Sequence, residues 1–310
     1  MTIADLQTPA FVPREVRGLP SSPRTAALKQ RYLSSPLMVD VEYLRHLTGS
    51  HRRTDGLETL ERRAEDHAFA LEHLTPVIHP MDRLAGNKTR FIRGAVPYAN
   101  YAAGPFLREI RRQEQDAQQR VAEQGTGGGI ALARERAEQE GLTVLSGKFL
   151  ISAEDLEEFK DLCGYWEDRC MMAAGERLWK SSFVHGAFIE SGWTIGLYTA
   201  PHDPCPEGRI VLDFETALAK GNEAILAEIE ERIAGFQPRA IPEARSLYFW
   251  RAARRALKGA LAFAERHARE AERLASVEKD PARRIELLET AAACRRVPRH
   301  PPRTFREAVQ

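Results

Sequence analysis

Long apolar runs are missing from these 310 residues, and none approaches the roughly 20 that a membrane-spanning helix needs. Residues 1–18 carry no apolar stretch of the kind a secretory signal has. Cysteine is scarce. Four residues without a CxxC pair exclude a disulfide framework, and a reducing cytoplasm is the expected compartment. Charge of one sign is lacking too: 45 basic against 44 acidic residues leave +1, so no bulk pull toward nucleic acid or an anionic membrane is expected. There is no HExxH or HxH pair. His46 with His51, and His67 with His73, miss the i, i+4 spacing of helical zinc ligands, and no metal site is expected. The cluster Gly125 to Gly129 lacks the lysine and serine of a P-loop and reads as a flexible connector.

What is present is helical pattern. At 43% hydrophobic and 29% charged, the chain has enough apolar residues for a core. Residues 1–20 read as an extended, proline-bearing arm, and residues 21–310 as the folded part. Helices are expected over Arg24 to Leu33, Asp40 to Leu47, Gly56 to Leu74, Phe106 to Glu123 and Ile130 to Glu140. Thr75 to Ala103 is punctuated by Pro76, Pro80, Gly86, Gly94 and Pro97, and is read as irregular. Strand signals are few: Leu142 to Ser146, Phe149 to Ile151, Trp193 to Tyr198 and Arg209 to Leu212. Ser152 with Asp155 has capping-box spacing, and Leu156, Phe159, Cys163, Trp166 and Cys170 follow at helical intervals. Asp213 is an N-cap type before Leu218, Ile225, Ile229 and Ile233. Trp250 to Ala275 traces one long helix whose alanine face suggests close approach of a neighbour. Asp280-Pro281 opens another, and Thr304 with Glu307 starts a last one, which the chain leaves after one turn.

Few side chains suggest chemistry. Cys163, Cys170 and Cys294 sit on apolar helix faces and read as packing thiols. Cys205 lies in a loop beside His202 and Asp203, where a thiol can be activated, but its flanking prolines define no base geometry. The basic loop Gly86-Asn87-Lys88-Thr89-Arg90 is open between solvated charge and packing through Phe91, Tyr98 and Tyr101. Arg209, in Gly208-Arg209-Ile210-Val211-Leu212-Asp213-Phe214, stands just before a helix N-terminus. Its planar fork suits a carboxylate, while a salt bridge to Asp213 is the rival reading.

Several stretches resemble the N-terminal part of the pyruvate formate-lyase type of glycyl radical enzyme. These are Arg24 to Leu33 followed by Pro36, the Ala85-Gly86-Asn87 turn, Gly208 to Phe214 with Leu218 and Gly221, the helix around Phe249-Trp250 to Arg266, and Val297-Pro298 to Ala308. The resemblance covers about residues 20 to 310. It implies a helix-dominated α/β fold, the N-terminal half of a ten-stranded α/β barrel, incomplete in this chain. It also implies a glycyl radical, installed by a radical-SAM activating enzyme, that oxidises a catalytic cysteine. Neither the family's R-V-x-G-[YF] radical loop nor its cysteine loop is found in these residues, so no catalytic residue, no bound cofactor and no metal is assigned to them. Arg209 matches the arginine that contacts a substrate carboxylate in pyruvate-cleaving members. The resemblance thus implies a fragment or split subunit of a radical C–C lyase acting on a 2-oxo acid or arylacetate. Its partners would be a C-terminal half or companion subunit and the activase, in a homo-oligomer when complete, with no nucleic acid and no membrane. The alternative is a non-catalytic helical scaffold or regulatory partner that keeps this architecture. A hydrolase built on His202, Asp203 and Cys205 ranks below both.

Overall fold

The computed structural model describes residues 22–122, 141–145, 149–180, 212–237 and 243–310. The chain divides after Ser35 into two units. Of the first, the described part is helix α1 (Pro23–Ser34), capped by Ser22, whose Oγ accepts the Thr25 N–H at 3.2 Å.

The second unit holds the other described elements. They are β1 (Met38–Val39), α2 (Glu42–Arg53), α3 (Thr59–His73), β2 (Gly94–Ala95), α4 (Ala99–Ala122), β3 (Leu142–Leu145) and β4 (Phe149–Ser152). There follow α5 (Ala153–Trp166), α6 (Met171–Lys180), α7 (Phe214–Ala234), α8 (Ala244–Val277), α9 (Pro281–Arg296) and α10 (Phe305–Val309). The sheet order is β2-β1-β4-β3. β1 runs parallel to both neighbours, with Met38 opposite Gly94 and Leu150, and β3 pairs antiparallel with β4 through Leu142 opposite Ser152.

The capping residues behave as their chemistry dictates. Ser152 Oγ accepts the Asp155 N–H at 3.1 Å, Asp213 Oδ1 that of Thr216 at 3.0 Å, Asp280 Oδ1 that of Ala282 at 3.0 Å and Thr304 Oγ1 that of Glu307 at 3.2 Å. Two expected boundaries are corrected. α3 begins at Thr59 rather than Gly56, because the Glu58 carboxylate takes the Leu60 and Glu61 N–H groups and so marks the helix start. α4 begins at Ala99 rather than Phe106 and runs across Gly104-Pro105; the buried Ala99 and Ala103 hold its first turns in the core. The strands β1 and β2 were not expected. Each is two residues long, too short to show a period. The expected strands Trp193 to Tyr198 and most of Arg209 to Leu212, and the helix Ile130 to Glu140, lie outside the described residues.

One core cluster joins Leu44 and Leu47 of α2, Leu71 of α3, Leu107 of α4, Ile151 of β4 and Phe159 of α5. A second joins Ile78 to Ala268, Ala271 and Ala275 of α8 and to Leu287 and Ala291 of α9. The alanine face of α8 does meet a close neighbour. A Cβ on Gly259 would lie 2.6 Å from Ala68 Cα of α3. Arg255 of α8 reinforces this pair by donating to both Glu65 (2.5 Å) and Glu72 (2.5 Å) of α3. In α7, Gly221 takes φ +72°, and its missing side chain leaves room for the backbone of Arg299 and His300.

Candidate functional site

The sequence puts polar residues on single faces of α2 and α3. Tyr43, Leu47 and His51 recur every four residues on α2, as do Thr59, Arg63 and His67 on α3, with Asp66 three residues after Arg63. Together with Tyr98, Trp166 and Arg169 they line a cavity of about 820 Å³. At its wall His51 Nδ1 and Asp66 Oδ2 are 2.5 Å apart, with both side chains largely buried. Asp66 is held from its other oxygen by Thr54 Oγ1 at 3.3 Å. A carboxylate accepts only, so Nδ1 carries the proton and Nε2 of a neutral ring is left as an acceptor. The His51 ring lies 4.5 Å from that of Trp166, whose Nε1 donates to Thr48 Oγ1 at 2.8 Å.

Next to this dyad, the Tyr43 hydroxyl and His67 Nδ1 are 2.8 Å apart. Burial pushes the Tyr43 phenol up to about 12 and, with Lys88 adding to it, lowers His67, so both stay neutral near pH 7. The Lys88 ammonium sits 5.5 Å from the centre of the Tyr43 ring. The basic loop therefore packs. Thr89 is buried, and the Arg90 N–H donates to Asp40 Oδ2 at 2.6 Å, tying the loop to the end of β1. His67 and Lys88 also line a smaller cavity of about 400 Å³ beside Phe263, His267 and Cys294.

Arg209 lies outside the described residues, as do Cys205, His202, Asp203 and the Gly125 to Gly129 cluster. Asp213, its rival partner, acts as the α7 N-cap. Cys163, Cys170 and Cys294 are buried in the two cores, as packing thiols are. Burial raises Cys163 to about 12 and Cys294 to about 11. Among the described residues no group of three or more His, Cys, Asp or Glu side chains is placed to hold a metal. No described helix is long and apolar enough to cross a membrane. The His51–Asp66 dyad was missed because a histidine and an acid fifteen residues apart carry no motif. The four-residue recurrence on α2 and α3 was the available signal.

A structure solved for 1,2-propanediol dehydration in Roseburia inulinivorans matches with a TM-score of 0.72 at 21% identity, covering 94% of this chain and 31% of that one. This likeness is one of fold. Residues 18–310 match the pyruvate formate lyase-like family, and the chain belongs to that family. It is 32% identical over 97% of its length to an indoleacetate decarboxylase from Tractidigestivibacter scatoligenes, and 24% identical over 94% to the 4-hydroxyphenylacetate decarboxylase glycyl radical subunit of Clostridioides difficile. The chain spans about a third of the length of these relatives (34% and 33%).

Proposed function

We propose that residues 21–310 form the N-terminal part of a glycyl radical lyase that decarboxylates an arylacetate. The observation that carries this reading is the 32% identity to an indoleacetate decarboxylase over nearly the whole chain. Here the choice left open by the sequence, between a 2-oxo acid and an arylacetate, falls to the arylacetate. The reaction is redox-neutral: the bond between the methylene and the carboxylate breaks, carbon dioxide leaves and a proton takes its place.

The glycyl radical and the cysteine it oxidises supply the one-electron chemistry and belong to the remainder of the barrel or to a companion subunit. This chain contributes the helical shell, part of the barrel sheet and Arg209. A guanidinium before the N-terminus of α7 is suited to hold the substrate carboxylate through two parallel N–H groups, with the helix dipole favouring the same anion. The buried cysteines of the chain have no access to a substrate. The partners of this reading are the rest of the enzyme, a radical-SAM activase and further copies of the complete protein, in the cytoplasm.

The test is turnover. The chain, together with the remainder of the enzyme and activated by a radical-SAM partner under anaerobic conditions, is expected to convert indole-3-acetate or 4-hydroxyphenylacetate to the methylarene. Conversion of neither, in a preparation with a full glycyl radical signal, would overturn it.

A further inference from the structure

We propose that Lys88 is a modification site, whose amine takes a small acyl group from an activated donor and lodges it in the cavity beside Phe263. The chain has eight lysines, and the arginines that carry most of its positive charge do not deprotonate, so few of its cations can react as amines. Lys160, Lys220 and Lys258 each hold a carboxylate, at 2.8, 2.6 and 3.4 Å. Lys88 holds none among the described residues. Its ammonium lies instead 5.5 Å from the centre of the Tyr43 ring.

The cavity beside this amine suits a short alkyl tail. Leu71 of α3, Leu218 of α7, Phe263 and Ala264 of α8 and Pro298 give it an apolar lining, and its volume is about 400 Å³. The one acid among its lining residues, Glu307, is taken up by Arg303 at 2.8 Å and Arg296 at 3.5 Å. An ammonium gains nothing from such a wall, whereas a neutral amide with an alkyl tail buries apolar surface against it. Lys88 is exposed where it lines the cavity, so a small donor reaches it. The protein packed around the amine disfavours its charged form and lowers its pKa, which enlarges the share of free amine.

The step needs no oxidant or reductant. Lys88 gives its ammonium proton to water, and the Nζ lone pair attacks the carbonyl carbon of an acyl phosphate or an acyl thioester. A carbon–nitrogen bond forms and the carbon–oxygen or carbon–sulfur bond to the leaving group breaks. Phosphate or thiolate departs with that electron pair, and a second proton leaves the nitrogen for water. The product is a neutral amide, and the cation over the Tyr43 ring is lost.

The proposal does not depend on the lyase reading, and its test involves no turnover. The complete protein, without activation, is incubated with acetyl phosphate, with butyryl phosphate and with the matching thioesters of N-acetylcysteamine. Peptide mass spectrometry follows the acyl occupancy of each lysine with time. Lys88 is expected to be acylated roughly threefold or more faster than Lys160, Lys220 and Lys258, since only a free amine attacks. In denaturing urea the rates are expected to converge. A lead with the phosphates alone, or with the thioesters alone, supports the site and identifies its donor. Ala217→Trp, at an exposed position of α7 on the cavity wall, is expected to bring the butyryl rate of Lys88 down to that of the other lysines. Equal rates for all lysines of the folded protein, or a Lys88 lead that persists in urea, overturn the proposal. So does a butyryl lead that Ala217→Trp leaves intact.

Discussion

Gly259 of α8 and Ala68 of α3 meet so closely that a methyl group on the glycine would stand 2.6 Å from both the Cα and the Cβ of the alanine. This contact holds the long helix α8 against α3, which lines the candidate cavity. Ala68 is fully buried, so neither side has room to yield.

Gly259→Ala is therefore expected to destabilise the protein. In an exposed helix interior the same change gains about 1 kcal/mol from backbone entropy. Here overpacking costs on the order of 1–3 kcal/mol, and the helices must separate. Thermal melting decides the sign. A raised melting temperature would refute the close approach.

Acid sensitivity is expected from Glu42. Despite the opposing effect of burial, hydrogen bonds from the Thr75 N–H and hydroxyl (2.9 and 2.6 Å) and the His46 ring 3.8 Å away hold its carboxyl down at about 2. A carboxylate with a depressed folded-state value adds stability that is fully present above its unfolded value of about 4.5 and lost as pH falls toward 2. The contribution is about 1–2 kcal/mol after screening. Denaturant melts at pH 7 and pH 3 are expected to converge more for Glu42→Gln than for the wild type.

Arg209 is expected to behave as a carboxylate clamp rather than a structural cation. Removing a bidentate charge-assisted contact costs on the order of 1.5–3 kcal/mol, which lowers kcat/KM roughly ten- to a hundredfold in the complete enzyme. Arg209→Lys is expected to restore little, because an ammonium keeps the charge and loses the fork. Unchanged turnover in both variants, with only the melting temperature moved, would assign Arg209 to a salt bridge.

The 310-residue chain incubated alone with a radical-SAM activase is expected to give no glycyl radical doublet in EPR spectra. No R-V-x-G-[YF] loop occurs in these residues. A doublet abolished by substituting a glycine of this chain would show that the radical is carried here.

The sequence by itself determined four helix starts. Ser152, Asp213, Asp280 and Thr304 cap through their own side chains, a local interaction that neighbouring residues suffice to specify. It also determined the alanine face of α8 and the burial of Cys163 and Cys294, since helical period and residue size set which face turns inward, whereas Cys170 is buried in the turn after α5. Family membership was legible in the order of short stretches from Arg24 to Ala308. Tertiary structure alone decided the rest. The strands Met38–Val39 and Gly94–Ala95 exist only because each has the other beside it, 56 residues apart along the chain. The His51–Asp66 and Tyr43–His67 pairs, and the turning of Arg63 and Arg169 toward one cavity, depend on how α2, α3 and α5 pack. Pairings of that kind depend on distance in space, and a linear pattern of residue types carries no measure of it.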